Sequence, residues 1–455
     1  MTPPSADAWR PAWRRALFDP VGDVRLLVFR WAFVLGSAAH LWLADPWRTL
    51  DWLPANLIYL IGLGLVAWRG AAAGYALCAA GALIPVLFLH DQLTQSVLLG
   101  LMAAGAAWCL ARRRPDGALA AAQWLTIGTY LLAFFHKLNA DFLDAGTSCA
   151  VYGAGKTATY WGMDLDLSGL GVGLILAVLA VEAGIALLHI AGLRWLAWTL
   201  AVAFHIPLTL TMAPAFAFVM FAGHAAFVTR DDLDFLAGRS RLLVGMAAPG
   251  AVITAVSLWL HGALPEWTMV PKEWLLWWAL MALGVCLWLR RGLLGADLRR
   301  PRLPPWEAWA VVGAFVLCGL SPYLGLQFQH AAAMLSNLRV DEGCWNHVVV
   351  PEGVRLTDDY VRIDDASLLR EGAIPDYEAL LEDHLWGPGL LQYTVDNWCK
   401  PSVRPIRIQG RFRGRPFLIE DACDGLGDEI GDARIAGLLR FQKFLVKKCP
   451  QACIH

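Results

Sequence analysis

The sequence predicts a mainly α fold, a polytopic bundle of about eleven transmembrane helices carrying a small β-rich domain at its C-terminal end. Three observations predict it. Of 455 residues, 58% are hydrophobic and 16% charged, whereas soluble domains carry about 25% charged residues. The apolar excess lies in long runs, such as 60–68, 172–190 and 242–260, without heptads and with few interior charges, so lipid is the natural solvent for most of the chain. The last 131 residues break the pattern, with 15 Lys+Arg and 19 Asp+Glu. Such a composition excludes a disordered chain, a coiled coil and a nucleic-acid binder. A formal charge of −1 gives no reason to expect a polyanionic partner.

Residues 1–25 interleave Trp9, Trp13, Leu17 and Phe18 with Arg10, Arg14 and Arg15. The pattern fits a helix lying in the cytoplasmic interface, and fits equally a topogenic charge cluster. No small-residue cleavage site precedes the first span, which reads as a signal anchor. Cutting the apolar runs at charges and at Gly or Pro places spans near 26–44, 55–69, 71–90, 93–111, 118–136, 169–191, 195–212, 214–229, 242–262, 274–290 and 306–324. These have the length that crosses ~30 Å of hydrocarbon and make 26–324 the membrane domain. With the N-terminus inside, seventeen Lys and Arg fall in inner segments and four, Arg48, Lys137, Lys156 and Lys272, in outer loops. Positive loop residues stay on the cytoplasmic side, so this split sets the orientation and puts the chain end outside. Trp42, Trp47, Trp274 and Trp306 at span ends read as an aromatic belt.

From about Gly325 the chain reads as a soluble external domain, 325–455. Strand-like segments at 347–350, 360–363, 404–410 and 415–420 alternate with turn signals such as Pro351-Glu352-Gly353 and Arg413-Gly414-Arg415. Residues 434–448 carry apolar side chains at helical spacing. Arg407, Arg411, Arg413 and Arg415 read as a solvated charged face balanced by Glu420, Asp421 and Asp424, with an anion or lipid-headgroup site as the alternative. Cys78, Cys109, Cys286 and Cys318 lie in spans, as small buried hydrophobes. The other six, Cys149, Cys344, Cys399, Cys423, Cys449 and Cys453, fall in external regions and read as up to three disulfides, with Cys149 tied to a partner in the terminal domain. No metal is expected: the spacing of Cys449, Cys453 and His455 is poor ground for zinc, and 424–432 departs from the EF-hand ligand pattern. No P-loop, dinucleotide fingerprint, Gly-x-Ser-x-Gly elbow or zincin motif occurs, which leaves ATP-driven transport and serine-hydrolase chemistry without support.

Lys137, at the outer mouth of a span in Phe134-Phe135-His136-Lys137-Leu138-Asn139-Ala140-Asp141, has two readings. It snorkels as an anchor, or packing against Phe134, Phe135 and Leu138 makes a neutral amine available as a base beside His136. Glu182 and His189 lie seven residues apart on one helix face, with His205 and His224 on the next two spans. A charge facing lipid costs several kcal/mol, so Glu182 faces the bundle, as a cavity wall, part of a proton path or an interhelical staple.

The run Lys137-Leu138-Asn139-Ala140-Asp141-Phe142, ending at Gly146, resembles the segment that holds the catalytic lysine of the vitamin K-dependent gamma-glutamyl carboxylases and of their bacterial relatives with the HTTM membrane domain. Further pieces match in order: Glu182-Ala183-Gly184 with Arg194 beyond it, His205-Ile206-Pro207-Leu208 followed by Phe216-Ala217-Phe218, and Ser321-Pro322-Tyr323 leading to Met334-Leu335-Ser336-Asn337-Leu338-Arg339 and on to His347. The resemblance covers about 20–352, most specifically 130–146 and 320–351. It implies an inner-membrane enzyme in which Lys137 deprotonates a reduced, vitamin K-like quinone. The quinone reacts with oxygen and yields a strong base that takes the γ-proton of a protein glutamate before carbon dioxide adds, a lyase-class carboxylation coupled to epoxidation. The implied cofactor is that quinol, and the implied partners are membrane lipid and a protein or peptide on the external face.

The sequence departs from the family at one place. The family's Asn-Asn-His before a Ser-x-Leu-x-Gly-Leu run is Leu93-Thr94-Gln95 here, ahead of Ser96. Gln95 stands for the histidine but carries no proton at neutral pH, and His90 is the substitute nearby. Lys137 is accordingly the expected catalytic residue, with His136, Gln95, His90, Glu182 and His205 around the substrate. Two rival readings remain. One is a non-catalytic lipid- or quinone-binding scaffold with Lys137 paired to a carboxylate such as Asp141 or Asp144. The other is a secondary transporter using Glu182 and the membrane histidines, which requires an inverted repeat that the span pattern does not show.

Overall fold

The computed structural model describes residues 17–43, 53–88, 94–211, 214–238, 300–325, 332–357, 360–368, 376–399, 405–430 and 445–453, apart from 20–21, 161, 334 and 451–452, with isolated positions between 241 and 252. The expected spans at 242–262 and 274–290, the helical pattern over 434–444, His90 and the N-terminal 1–16 lie outside them.

The first part is helical: α1 (Val24–Leu43), α2 (Leu53–Arg69), α3 (Ala72–Phe88), α4 (Thr94–Ala111), α5 (Pro115–His136), the short α6 (Ala140–Leu143), α7 (Cys149–Tyr160), α8 (Gly171–Ile190), α9 (Arg194–Thr211), α10 (Pro214–Ala225), α11 (Arg230–Ala237) and α12 (Trp306–Leu320). Among the described residues, four stretches are long and apolar enough to cross a membrane: Val24–Leu41, Pro115–His136, Gly171–Ile190 and Trp306–Leu324. Shorter apolar helices accompany them, at Pro54–Arg69, Ala72–Pro85, Gln95–Ala111 and Phe216–Ala225.

Helix α5 is central and packs against α4, α8, α10 and α12. Small side chains make this possible: Ala118, Ala120, Ala121 and Ala122 are buried, and a Cβ on Gly223 of α10 would come within 2.0 Å of Thr126 Oγ1. Helices that meet in lipid gain mainly by such close approach, because lipid tails are as apolar as leucine. Thr126 and Thr129 donate their hydroxyls to Ala122 O and Leu125 O one turn back, at 2.7 and 2.8 Å, so neither leaves a bare polar group in the core.

The start of α5 lies at the arginine-rich end of the bundle. Pro115 suits the first turn, where its missing N–H is not needed. Arg112 and Arg114 converge on Glu307, whose side chain is fully buried. Arg194 meets Asp232 at 2.9 Å, and Asp232 also closes a capping box with Thr229 at the head of α11.

The C-terminal part forms one antiparallel sheet, order β4-β3-β1-β2-β5, from β1 (Val361–Leu368), β2 (His384–Trp386), β3 (Ile406–Phe412), β4 (Arg415–Ile419) and β5 (Leu445–Val446), with helices α13 (Asp376–Asp383) and α14 (Pro388–Trp398). Burial alternates along β3. Ile406 and Ile408 join Val361, Ile363, Leu381, Leu391 and Val395 in a core separate from that of the helices. The β3–β4 hairpin turns on Arg413 and Gly414, both at positive φ, as a two-residue turn between twisted strands requires. Arg407 pairs with Asp365 and Glu420, and Arg411 with Asp364, so of the expected carboxylates Glu420 meets an arginine, while Asp421 accepts backbone N–H groups of Ile406 and Cys423.

Two expectations are corrected here. Residues 347–350 are a turn and not a strand, because His347 Nδ1 accepts the N–H groups of Val349 and Val350 and bends the chain. The end of the helical pattern is also different, since 445–446 is a strand edge. The six cysteines outside the expected spans form three disulfides: Cys149–Cys453, Cys344–Cys449 and Cys399–Cys423. The first two join the sheet-bearing part to the segments that flank the bundle.

Candidate functional site

Helix α5 ends where the Lys137 N–H bonds Phe134 O and Phe135 O. Helical side chains lean toward the N-terminus, so a lysine closing a helix reaches back over the preceding turn. Lys137 does so. Its amine lies 3.4 Å from Ala133 O and 5.8 Å from the centroid of the Phe142 ring, and the residue is 3% exposed. It therefore does not snorkel. Asn139 enforces the turn that follows: its Oδ1 accepts the Phe142 N–H and caps α6, while its Nδ2 donates to His136 O and Ser336 O at 2.7 and 2.5 Å.

Opposite, α8 buries one stripe, Ile175, Leu179, Glu182, Ile185, Ala186 and His189, at helical period. Lys137 Nζ donates to Glu182 Oε1 at 2.9 Å, with both side chains nearly inaccessible. Glu182 Oε2 is buried and has no hydrogen-bond partner among the described residues. Leaving a buried acceptor unsatisfied costs about 1–3 kcal/mol, so this oxygen marks where a donor from a ligand would be welcome.

Lys137 and Glu182 line a cavity of about 400 Å³ whose other polar groups include Tyr130, Thr129 and Thr157 and whose walls are otherwise apolar. The cavity runs to Met163 and Leu165, which are exposed, so its mouth is apolar too. Behind Tyr130 a file of polar groups enters the bundle. The Tyr130 hydroxyl lies 2.8 Å from His205 Nε2 and 3.0 Å from His224 Nε2, and His224 Nδ1 lies 3.1 Å from His189 Nε2. The His189 ring stacks on Phe227 at 3.8 Å.

The expected site residues thus separate. Lys137 and Glu182 meet in the cavity wall, and His205 stands one hydrogen bond behind it. His136 turns away: its Nδ1 bonds the Tyr323 hydroxyl at 2.8 Å, and the rings stack. Gln95 is buried at the head of α4, beside Ser96, which bonds His40 at 2.8 Å, and it is not among the cavity-lining residues. The paired carboxylate is Glu182, whereas Asp144 accepts from Gly146 N and Thr147 Oγ1. Tyr130 was not anticipated. Its position seven residues before Lys137 puts the two on one side of α5 and was the available signal.

The two segments that carry the resemblance most specifically fold against each other. Asn337 Oδ1 accepts the Cys149 N–H and its Nδ2 donates to Thr147 O, while Ala140 N donates to Asn346 O and Val348 N to Leu138 O. Cys149, which also lines the cavity, carries the disulfide to Cys453. No group of three or more His, Cys, Asp or Glu suited to a metal occurs among the described residues. Comparison with protein-family models, with curated proteins and with solved structures finds no match.

Proposed function

We propose that the chain is an inner-membrane enzyme of about eleven spans, with its N-terminus cytoplasmic and its sheet-bearing part external, in which Lys137 acts as general base on a lipid-soluble quinol or a related hydroxylated substrate. One observation carries this reading: the Lys137–Glu182 pair is buried in the wall of an apolar cavity, with one carboxylate oxygen still open. A hydroxyl entering the cavity would donate to Glu182 Oε2, and the carboxyl would relay a proton through Oε1 to the Lys137 amine. Whichever partner holds the shared proton at rest, accepting one more gives an ammonium beside a carboxylic acid. That positive charge faces the new oxyanion in a site of low dielectric, where it is worth far more than in water.

A cavity of this size and lining suits the ring of a reduced quinone. When bound, such a quinol would supply, on reaction with oxygen, the strong base that carboxylation of a protein or peptide glutamate needs. The chain's own part is narrower: Lys137 and Glu182 take the hydroxyl proton, Tyr130 offers a further donor, and the apolar walls keep water away.

Purified protein should turn over a reduced quinone, and Lys137→Met should abolish that turnover. Because Lys137→Met strands Glu182, the double variant Lys137→Met/Glu182→Leu is measured as well, which removes the pair without leaving a buried charge. Turnover equal to wild type in the double variant overturns the proposal. The same pair also ties α5 to α8 with no proton moving, which favours a second reading, a non-catalytic binder of lipid or quinone. That reading expects a bound quinone and no turnover in any of the three proteins.

A further inference from the structure

The end of α5 remote from Lys137 opens on a second cavity, of about 800 Å³. About 20 residues of helix, some 30 Å, separate the two. Five arginines line this one: Arg25, Arg194, Arg230, Arg300 and Arg302. Three carboxylates lie among them. Asp23 and Asp116 bind Arg25, Asp116 also binds Arg302, and Asp232 binds Arg194. Among the described residues that line the cavity, arginines outnumber carboxylates, five against Asp23 and Asp116, with Asp232 behind Arg194. Helices α1, α5 and α11 all begin here, and their N-terminal dipoles add to the same sign.

Arg194 is the telling residue. Its side chain is 8% exposed. It spends Nη2 on Asp232 Oδ1 at 2.9 Å and on Thr229 Oγ1 at 3.4 Å. Nε and Nη1 are buried with no hydrogen-bond partner among the described residues. Nε–H and the Nη1 hydrogens leave the planar guanidinium on opposite edges, so Arg194 keeps two separate unsatisfied donors in the wall of a positive cavity. Gln123, also in the cavity wall, donates to Ala226 O at 2.8 Å and leaves its Oε1 buried without a donor among the described residues. Leu119, Phe227 and Val228 supply an apolar wall.

We infer that this cavity binds a phosphate group, with Arg194 donating from an unsatisfied N–H, Arg230 and Arg300 as supporting charges, and Gln123 accepting from a hydroxyl where the phosphate is an ester. The phosphate has two sources, the headgroup of an anionic lipid or a free phosphate, and the apolar wall beside the arginines accommodates the first.

Thermal unfolding of the full-length protein in detergent tests this with two probes, inorganic phosphate and short-chain phosphatidylglycerol, against equal ionic strength of chloride. Stabilisation by phosphatidylglycerol alone supports the lipid source, and stabilisation by both supports free phosphate. Arg194→Gln should weaken the response at least tenfold in ligand concentration. Since that change strands Asp232, Arg194→Gln/Asp232→Asn and the separate variant Arg300→Gln are measured too; the first should match Arg194→Gln and the second should weaken the response several-fold. If neither probe exceeds chloride, or if the Arg194 variants respond as wild type does, the site does not exist.

Discussion

Lys137 and Glu182 show how a costly arrangement is held in place. Moving two charges out of water costs several kcal/mol each, and their attraction offsets this only while both are present. Truncating either should therefore destabilise the protein by about 3–5 kcal/mol, whereas Lys137→Met/Glu182→Leu should come out within about 1–2 kcal/mol of wild type. A double-mutant cycle of chemical unfolding in detergent checks the coupling, and additive losses would show that the contact is not made. Glu182 was legible in the sequence as an expensive polar group that had to face inward, whereas Lys137 read equally as a snorkelling anchor, which its burial overturns. Their meeting was not legible, because a sequence separation of 45 and the rotation of two helices stand between them. Tyr130 is not legible in the sequence for a plainer reason: an aromatic in an apolar span is indistinguishable from core by type alone.

At the scale of elements, the elbow after α5 and the segment 336–348 form one clasp, and His347 is its latch. Its Nδ1 accepts the N–H groups of Val349 and Val350 and its Nε2 donates to Phe135 O at 3.0 Å, a pattern that only the neutral ring satisfies. Burial pushes this imidazole below its ordinary 6.5, against the opposing pull of the Phe135 carbonyl. In acid the unfolded chain thus binds a proton that the folded one resists. The latch contributes in full above pH 6.5 and less as pH falls toward the folded value. Proteolysis at 340–357 should accelerate as pH drops below 6.5, and His347→Asn, which keeps an acceptor near Nδ1 but does not titrate, should flatten that dependence. The sequence suggested a strand here because Val348, Val349 and Val350 favour one; a side-chain hydrogen bond to the backbone overrode the propensity. The short β2 and β5 were unreadable, since two or three residues are too few to alternate.

For the molecule as a whole, composition told most of the story: charge-poor helices in one part, a charged sheet with its own core in the other. Composition did not say how the two are joined. Cys149–Cys453 and Cys344–Cys449 do this covalently. Replacing all four cysteines by serine should convert one thermal transition into two, with the sheet-bearing part melting first; a single unchanged transition would mean that packing alone couples them. Removing a native disulfide commonly costs about 2–5 kcal/mol. The Cys149–Cys453 link also has a meaning in time. Its two ends are 304 residues apart, so one wall of the Lys137 cavity waits on a residue that the ribosome adds long after the helices around it. A nonsense mutation anywhere before Cys453, even one that spares every helix of the bundle, would release a chain in which Cys149 in the cavity wall has lost its disulfide partner.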